Sequence, residues 1–281
     1  MTAVTEGRRA GRELPGSPPG PIRRCSGAAR MEWIKLRSLR SSSWMLIIAA
    51  AGVIGLGILV LSFYPSHWAH MTAAQRASFD PTNQGFTGIA LGQLVAGIFG
   101  VLAITGEYSS GSIRATLSAT PSRLMMLAAK AAVVGAAALL VGEAVCLAAF
   151  LIGQDLVLSS PAPHAVLGQG GTARAVVMTG GYLCLSALIG LGLGAIIRHT
   201  AGAIAAFTAV VLVLPFVVVA LPASLQQAVV RYLPEQIASN SLAAVRPEAG
   251  SLSPWAGMGM LCLYAAVLLL IGGWQLARRD A

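Results

Sequence analysis

Residues 175–221 read AVVMTGGYLCLSALIGLGLGAIIRHTAGAIAAFTAVVLVLPFVVVAL. Two apolar runs, Ala175–Ile197 and Ala201–Leu221, are parted only by Arg198, His199 and Thr200. Each run is near the ~20 residues that cross ~30 Å of hydrocarbon at about 1.5 Å per residue. The runs are apolar throughout and do not alternate, so they are helices and not strands of a barrel. Three residues between two such helices leave room only for a tight hairpin.

Outward from this hairpin, four more windows of the same kind follow. They are roughly Trp44–Phe63, Gly88–Gly106, Ala131–Gly153 and Trp255–Ala277. Composition agrees: 56% of residues are hydrophobic, 10% are charged, and the mean hydropathy is +0.75. A soluble domain carries about 25% charged residues. The fold class is therefore an all-α polytopic membrane protein with six transmembrane helices. In 281 residues, six spans with short loops leave little space for a soluble catalytic domain.

Lysines and arginines prefer the cytoplasmic side, which sets the orientation. With both termini inside, fifteen of the 19 basic residues are cytoplasmic. The four outside are Arg76, Arg174, Arg231 and Arg246. The inverted topology would put those fifteen outside. The net charge of +9 is thus mostly a topology signal, and nucleic acid is not an expected partner.

Residues 1–30 are rich in Arg, Gly and Pro and have no periodicity. They read as a disordered basic arm touching anionic headgroups, or equally as sequence upstream of a true start at Met31. They do not read as a signal peptide, because no apolar core follows until Trp44. From Met31 the chain reads MEWIKLRSLRSSSW. Trp33 and Leu36 lie three apart, with Lys35, Arg37 and Arg40 on other faces, which suits a short interfacial helix before the first span. A plain cytoplasmic flank is the other reading.

Chemistry-bearing patterns are sparse. Cys146, Cys184 and Cys262 fall inside spans, where thiols pack as small apolar groups. No CxxC pair, HExxH or GxSxG stands in the sequence, nor GxxxxGK[ST], so metal binding, proteolysis and ATP binding by this chain lack support. The chain is not expected to be an enzyme or to hold a cofactor.

Two polar residues lie within spans. Glu143 is the only ionisable residue deep in one, and burying its charge is costly. It reads as a hydrogen-bonded or protonated packing residue, or as a proton or cation site of a secondary transporter or channel. A secondary transporter would ordinarily need more such groups, or two halves with matching broken helices. Gln93 suits an interhelical hydrogen bond. The Gly88/Gly92 and Gly190/Gly194 spacings permit close helix approach, although 32 glycines make such pairs common.

Between the second and third windows lies EYSSGSIRATLSATPSRLMMLAAK, Glu107 to Lys130. Ile113 and Leu117 are four apart and share a helical face, while Arg114 points elsewhere. Ser109, Ser110 and Gly111 suit a helix start, and Thr120-Pro121 reads as a second start running into the third span. Such a short amphipathic helix would lie on the membrane or dock in a groove on a partner protein.

The stretch GEYSSGSIRATLSATPSR closely resembles the cytoplasmic loop of ABC-2-type transporter permeases. MEWIKLRSLRSSSW resembles the segment that precedes the first span in the same family. The resemblance implies a type V exporter-like permease fold over 31–281, with an N-terminal interfacial helix around Trp33, Lys35, Leu36 and Arg37. It implies a coupling helix docked on a separate ATP-binding subunit, which would hold the ATP and magnesium. Ile113 and Leu117 would anchor that helix, Glu107 and Arg114 would fix its register, Gly111 would lie at its start, and Tyr108 would mark the interface with the bilayer. A second permease copy, identical or not, would complete the transporter in the bacterial cytoplasmic membrane. Leu221–Ser253 would then contain short helices broken at Pro234. A non-transporting anchor or sensor component is the remaining alternative.

Overall fold

The computed structural model describes residues 21–38, 40–77, 79–113, 122–158, 163–244 and 252–278. Every regular element among them is helical. Among the described residues, six helices are long and apolar enough to cross a membrane. They are α2 (Arg40–His67), α5 (Ile89–Ser109), α6 (Arg123–Leu158), α7 (Thr172–Ile197), α8 (Thr200–Val219) and α11 (Pro254–Arg278). The shorter ones are α1 (Pro21–Ser38), α3 (Ala73–Ala77), α4 (Pro81–Gly85), α9 (Ala223–Val230) and α10 (Pro234–Leu242).

All six windows read from the sequence are helices, and most extend beyond the apolar run. The longest, α6, has 36 residues and so measures about 54 Å, well beyond the ~30 Å of hydrocarbon. Residues 21–30, expected to belong to an unstructured arm, are instead the first turns of α1. Pro21 fits the first turn of a helix and no glycine or proline interrupts Ile22–Ser26, so the local preferences favour a helix there. Residues 1–20 lie outside the described part.

The bundle is built around α7. It packs against α5, α6, α8 and α11 and is the most buried span. Glycine makes the α5–α7 crossing possible. A Cβ on Gly190 would run into the Gly97 carbonyl oxygen, and one on Gly100 into the Ala187 carbonyl oxygen. Phe99, Val134, Cys146, Phe150 and Leu183 fill the layer between α5, α6 and α7, while Tyr182, Phe207, Ile237 and Leu261 fill the layer on the other side. By contrast α2, α8 and α11 present much of their apolar surface outward, as helices bathed in lipid do.

The hairpin forms as read. Arg198 ends α7 and His199 caps α8, its Nδ1 accepting from the Gly202 N–H. The fifth span is not uniform, because residues Ala209–Val213 make a π turn. Pro215 follows after Leu214; it has no N–H and its ring would press on the carbonyl of Val211, four residues earlier inside the π turn, which absorbs both defects. At the end of the bundle away from Arg198, α9 and α10 form on either side of Pro234, which lies at the first position of α10.

Candidate functional site

The end of the bundle that holds Arg123, Arg198 and Arg278 brings together the two segments singled out in the sequence. The helix α1 packs on α6, burying Ala28 and Glu32. Glu107 lies in the last turn of α5 and Lys130 in the third turn of α6. These elements meet in a closed ring of four charges. Lys130 Nζ donates to Glu32 Oε2 at 2.5 Å and to Glu107 Oε1 at 2.9 Å. Lys35 Nζ donates to Glu107 Oε1 at 2.8 Å and to Glu32 Oε1 at 3.3 Å. Glu32, Glu107 and Lys130 are 4%, 8% and 3% exposed.

Two acids and two bases balance, so the ring is neutral as a unit. That balance lets it be buried, since an unpaired charge there would keep its full desolvation cost. Burial works against the charge on Lys35. Its hydrogen bond to Glu107 and the attraction of Glu107 and Glu32 outweigh that, holding its pKa above the ordinary lysine value. Glu107 Oε2 is also buried and accepts no hydrogen bond among the described residues.

Several residues singled out in the sequence lie at the end of α5 or inside the bundle. Ser109, Ser110 and Gly111, read as a helix start, close the end of α5, and a helical residue follows again at Ile113. Ser110 Oγ donates back to the Gly106 carbonyl, and Gly111 has φ +70°, the left-handed conformation that closes a helix. Ile113, read as an anchor for a partner, is 4% exposed and packs on Ile104, Met126, Leu127, Leu191 and Leu276 of its own chain. Its burial stabilises the bundle by about 1.5–3 kcal/mol. Glu107, read as a contact fixing register with a partner, spends its carboxylate inside the ring. Tyr108 turns inward as well: its ring joins the Ile113 cluster and lies beneath the Arg198 guanidinium. Arg114, Leu117, Thr120 and Pro121 fall outside the described residues. The helix of the third span begins at Arg123, two residues beyond Pro121, with Ser122 Oγ accepting from the Met125 N–H.

On α1, Trp33 is 42% exposed, and Ile34 beside it is also exposed. Leu36 packs partly against the core, Lys35 joins the ring, and Arg37 is a helical residue whose side chain lies outside the description. The exposed face of α1 at Trp33 and Ile34 is apolar, while Glu32 and Leu36 turn to the bundle.

The intramembrane polar residues lie elsewhere. Gln93 is buried in α5, and its expected interhelical hydrogen bond is not made among the described residues. Glu143 of α6 is half-buried, and a Cβ on Gly180 of α7 would collide with its carboxyl group. Among the described residues it has no basic partner, and no three His, Cys, Asp or Glu residues converge as metal ligands would.

Glu32 and Lys130 were not recognised as site residues from sequence. The available signal was weak: one acid in an otherwise basic MEWIKLRS segment, and a lone lysine just inside an apolar run.

No curated protein matches the chain. The family described as ABC-2 family transporter protein matches residues 33–281, which takes in the last third of α1, all six spans and the loop between α5 and α6. The chain belongs to the ABC-2 transporter family and is a multi-pass permease subunit of an ABC transporter.

Proposed function

We propose that this permease moves an amphipathic compound, lipid or peptide outward across the bacterial cytoplasmic membrane, with both termini and the α5–α6 loop in the cytoplasm. A separate ATP-binding subunit docks on that loop and supplies the energy, holding ATP and magnesium itself. Two permeases and two ATP-binding subunits form the transporter. The observation that carries the coupling role is the ionic ring. It joins α1, the last turn of α5 and the first turns of α6, so both flanks of the loop and the helix before the first span form one mechanical body. A push on the loop therefore reaches three helices at once. Closure of the ATP-binding subunits moves that body, and the spans repack from inward- to outward-facing around a path between the two permeases. Hydrolysis resets it.

Two measurements test this. Arg114→Glu is expected to cut co-purification with the ATP-binding subunit about tenfold or more, because a reversed charge at a docking contact repels its partner. Unchanged recovery would remove the loop from the docking surface. Separately, Ser112→Cys should react with a membrane-impermeant maleimide in inside-out vesicles and stay silent in right-side-out ones. The opposite pattern would invert the topology.

A further inference from the structure

Arg198 is the only non-glycine residue with positive φ among the described residues, at +59°. It occupies the position that closes α7, its N–H bonded to the Gly194 carbonyl. Glycine adopts this conformation freely, whereas any residue with a Cβ is disfavoured there. An arginine at a position that suits glycine points to work done by its side chain.

That side chain bridges two helices that its own backbone does not belong to. Arg198 Nη2 donates to the Gln275 carbonyl at 2.9 Å, and its guanidinium carbon lies 5.6 Å from the centre of the Tyr108 ring. Arg123 Nη1 donates to the next carbonyl, that of Leu276, also at 2.9 Å. Both carbonyls belong to the last turn of α11, where helical partners run out and the negative end of the helix dipole collects. Tyr108 directly follows Glu107 of the ionic ring. The last turn of α5 thus contributes one residue to the ring and the next to the arginine contact. Without Arg198, α11 would be tied to the loop region at this end through Arg123 and apolar packing.

We propose that Arg198 is a positioning residue that ties the end of the sixth span to the last turn of α5, so that displacement of the α5–α6 loop is passed on to α11. This rests on the coupling role assigned above. It adds that α11 is driven from the loop side, through one guanidinium stacked on Tyr108 and bonded to Gln275.

Hydrogen exchange on the assembled transporter, with and without a non-hydrolysable ATP analogue, tests it. In the parent complex the analogue should change deuterium uptake in peptides from the end of α5 and from the end of α11. Arg198→Gly suits the backbone conformation, so its melting temperature should match the parent. The α5 response should persist, while the α11 response should fall roughly twofold or more, since one of two guanidinium ties is gone. Arg198→Asn, which also tolerates a positive φ, should behave alike and guards against a loosened hairpin as the cause. Tyr108→Phe keeps the ring and should leave both responses intact. An α11 response that survives in both Arg198 variants overturns the assignment. Absence of any α5 response in the parent would instead overturn the coupling role, and this inference with it.

Discussion

The two ends of the bundle are fastened by different chemistry. At the Arg198 end, beside the bonds of Arg123 and Arg198 to the last carbonyls of α11, four charged side chains pair with one another in a ring. At the opposite end side chains bind backbone. Asp80 caps α4 by accepting from the Thr82 and Asn83 N–H groups, and its other oxygen accepts from the Ala244 N–H. Gln154 donates to the Pro81 carbonyl and accepts from the Ala165 N–H. Arg174 donates to the carbonyls of Ser241 and Ala243 at the end of α10. Phe79, next to Asp80, packs tilted against Tyr64 and edge-on against Trp68, with Arg76 over Trp68. A bond to backbone fixes the conformation of the chain it holds. An ion ring fixes only relative placement, and it can exchange partners while staying paired. The first end is built to shift as a unit and the second to keep its shape.

The largest expected effect tests the ring itself. Lys130→Met leaves two buried acids facing one half-exposed lysine and should destabilise the chain by about 3–5 kcal/mol, read from unfolding in detergent. The fourfold exchange Glu32→Lys, Lys35→Glu, Glu107→Lys and Lys130→Glu keeps opposite charges adjacent all round the ring and should recover most of that loss. If the exchange is no better than the single change, partner swapping is not tolerated and the contrast between the ends fails.

At the opposite end, Asp80→Ala removes a helix cap and a link to residue 244 and should cost about 2 kcal/mol. That loss should appear as faster exchange in 79–86 and 234–244, with the ring end unchanged. Equal lososening at both ends would mean that the two are one cooperative unit.

The smallest effect concerns Lys35, whose side chain is 34% exposed. Lys35→Met should cost no more than about 1 kcal/mol after solvent screening. Because its pKa is raised, the stability it contributes is complete below the ordinary lysine value of 10.5 and is lost only as pH rises beyond that. The difference in melting temperature between parent and Lys35→Met should therefore be flat through neutral pH and shrink in strong alkali.

How much of this could be read in advance depended on the range of the interaction. The six spans and the Arg198–Thr200 hairpin follow from local hydropathy alone, and the break at Pro234 follows from missing backbone chemistry. The ring did not, since Glu32 and Lys130 are 98 residues apart and no local pattern pairs them. Ile113 shows a subtler limit. Helical spacing says that one face of a segment will be buried, but not whether the cover is a partner or the chain itself. Ser109-Ser110-Gly111 shows another, because serines bond backbone at either end of a helix, and the positive φ at Gly111 that closes α5 leaves no mark in the sequence.

The unbroken length of α6 has a consequence that joins the two ends. Lys130 of the ring and Gln154 of the opposite end lie on this one helix, 24 residues and about 36 Å apart. A rod pinned at the Gln154 end cannot translate freely when its Lys130 end is displaced. It swings instead, and the residues between, among them Glu143, sweep arcs whose size grows with distance from the pivot.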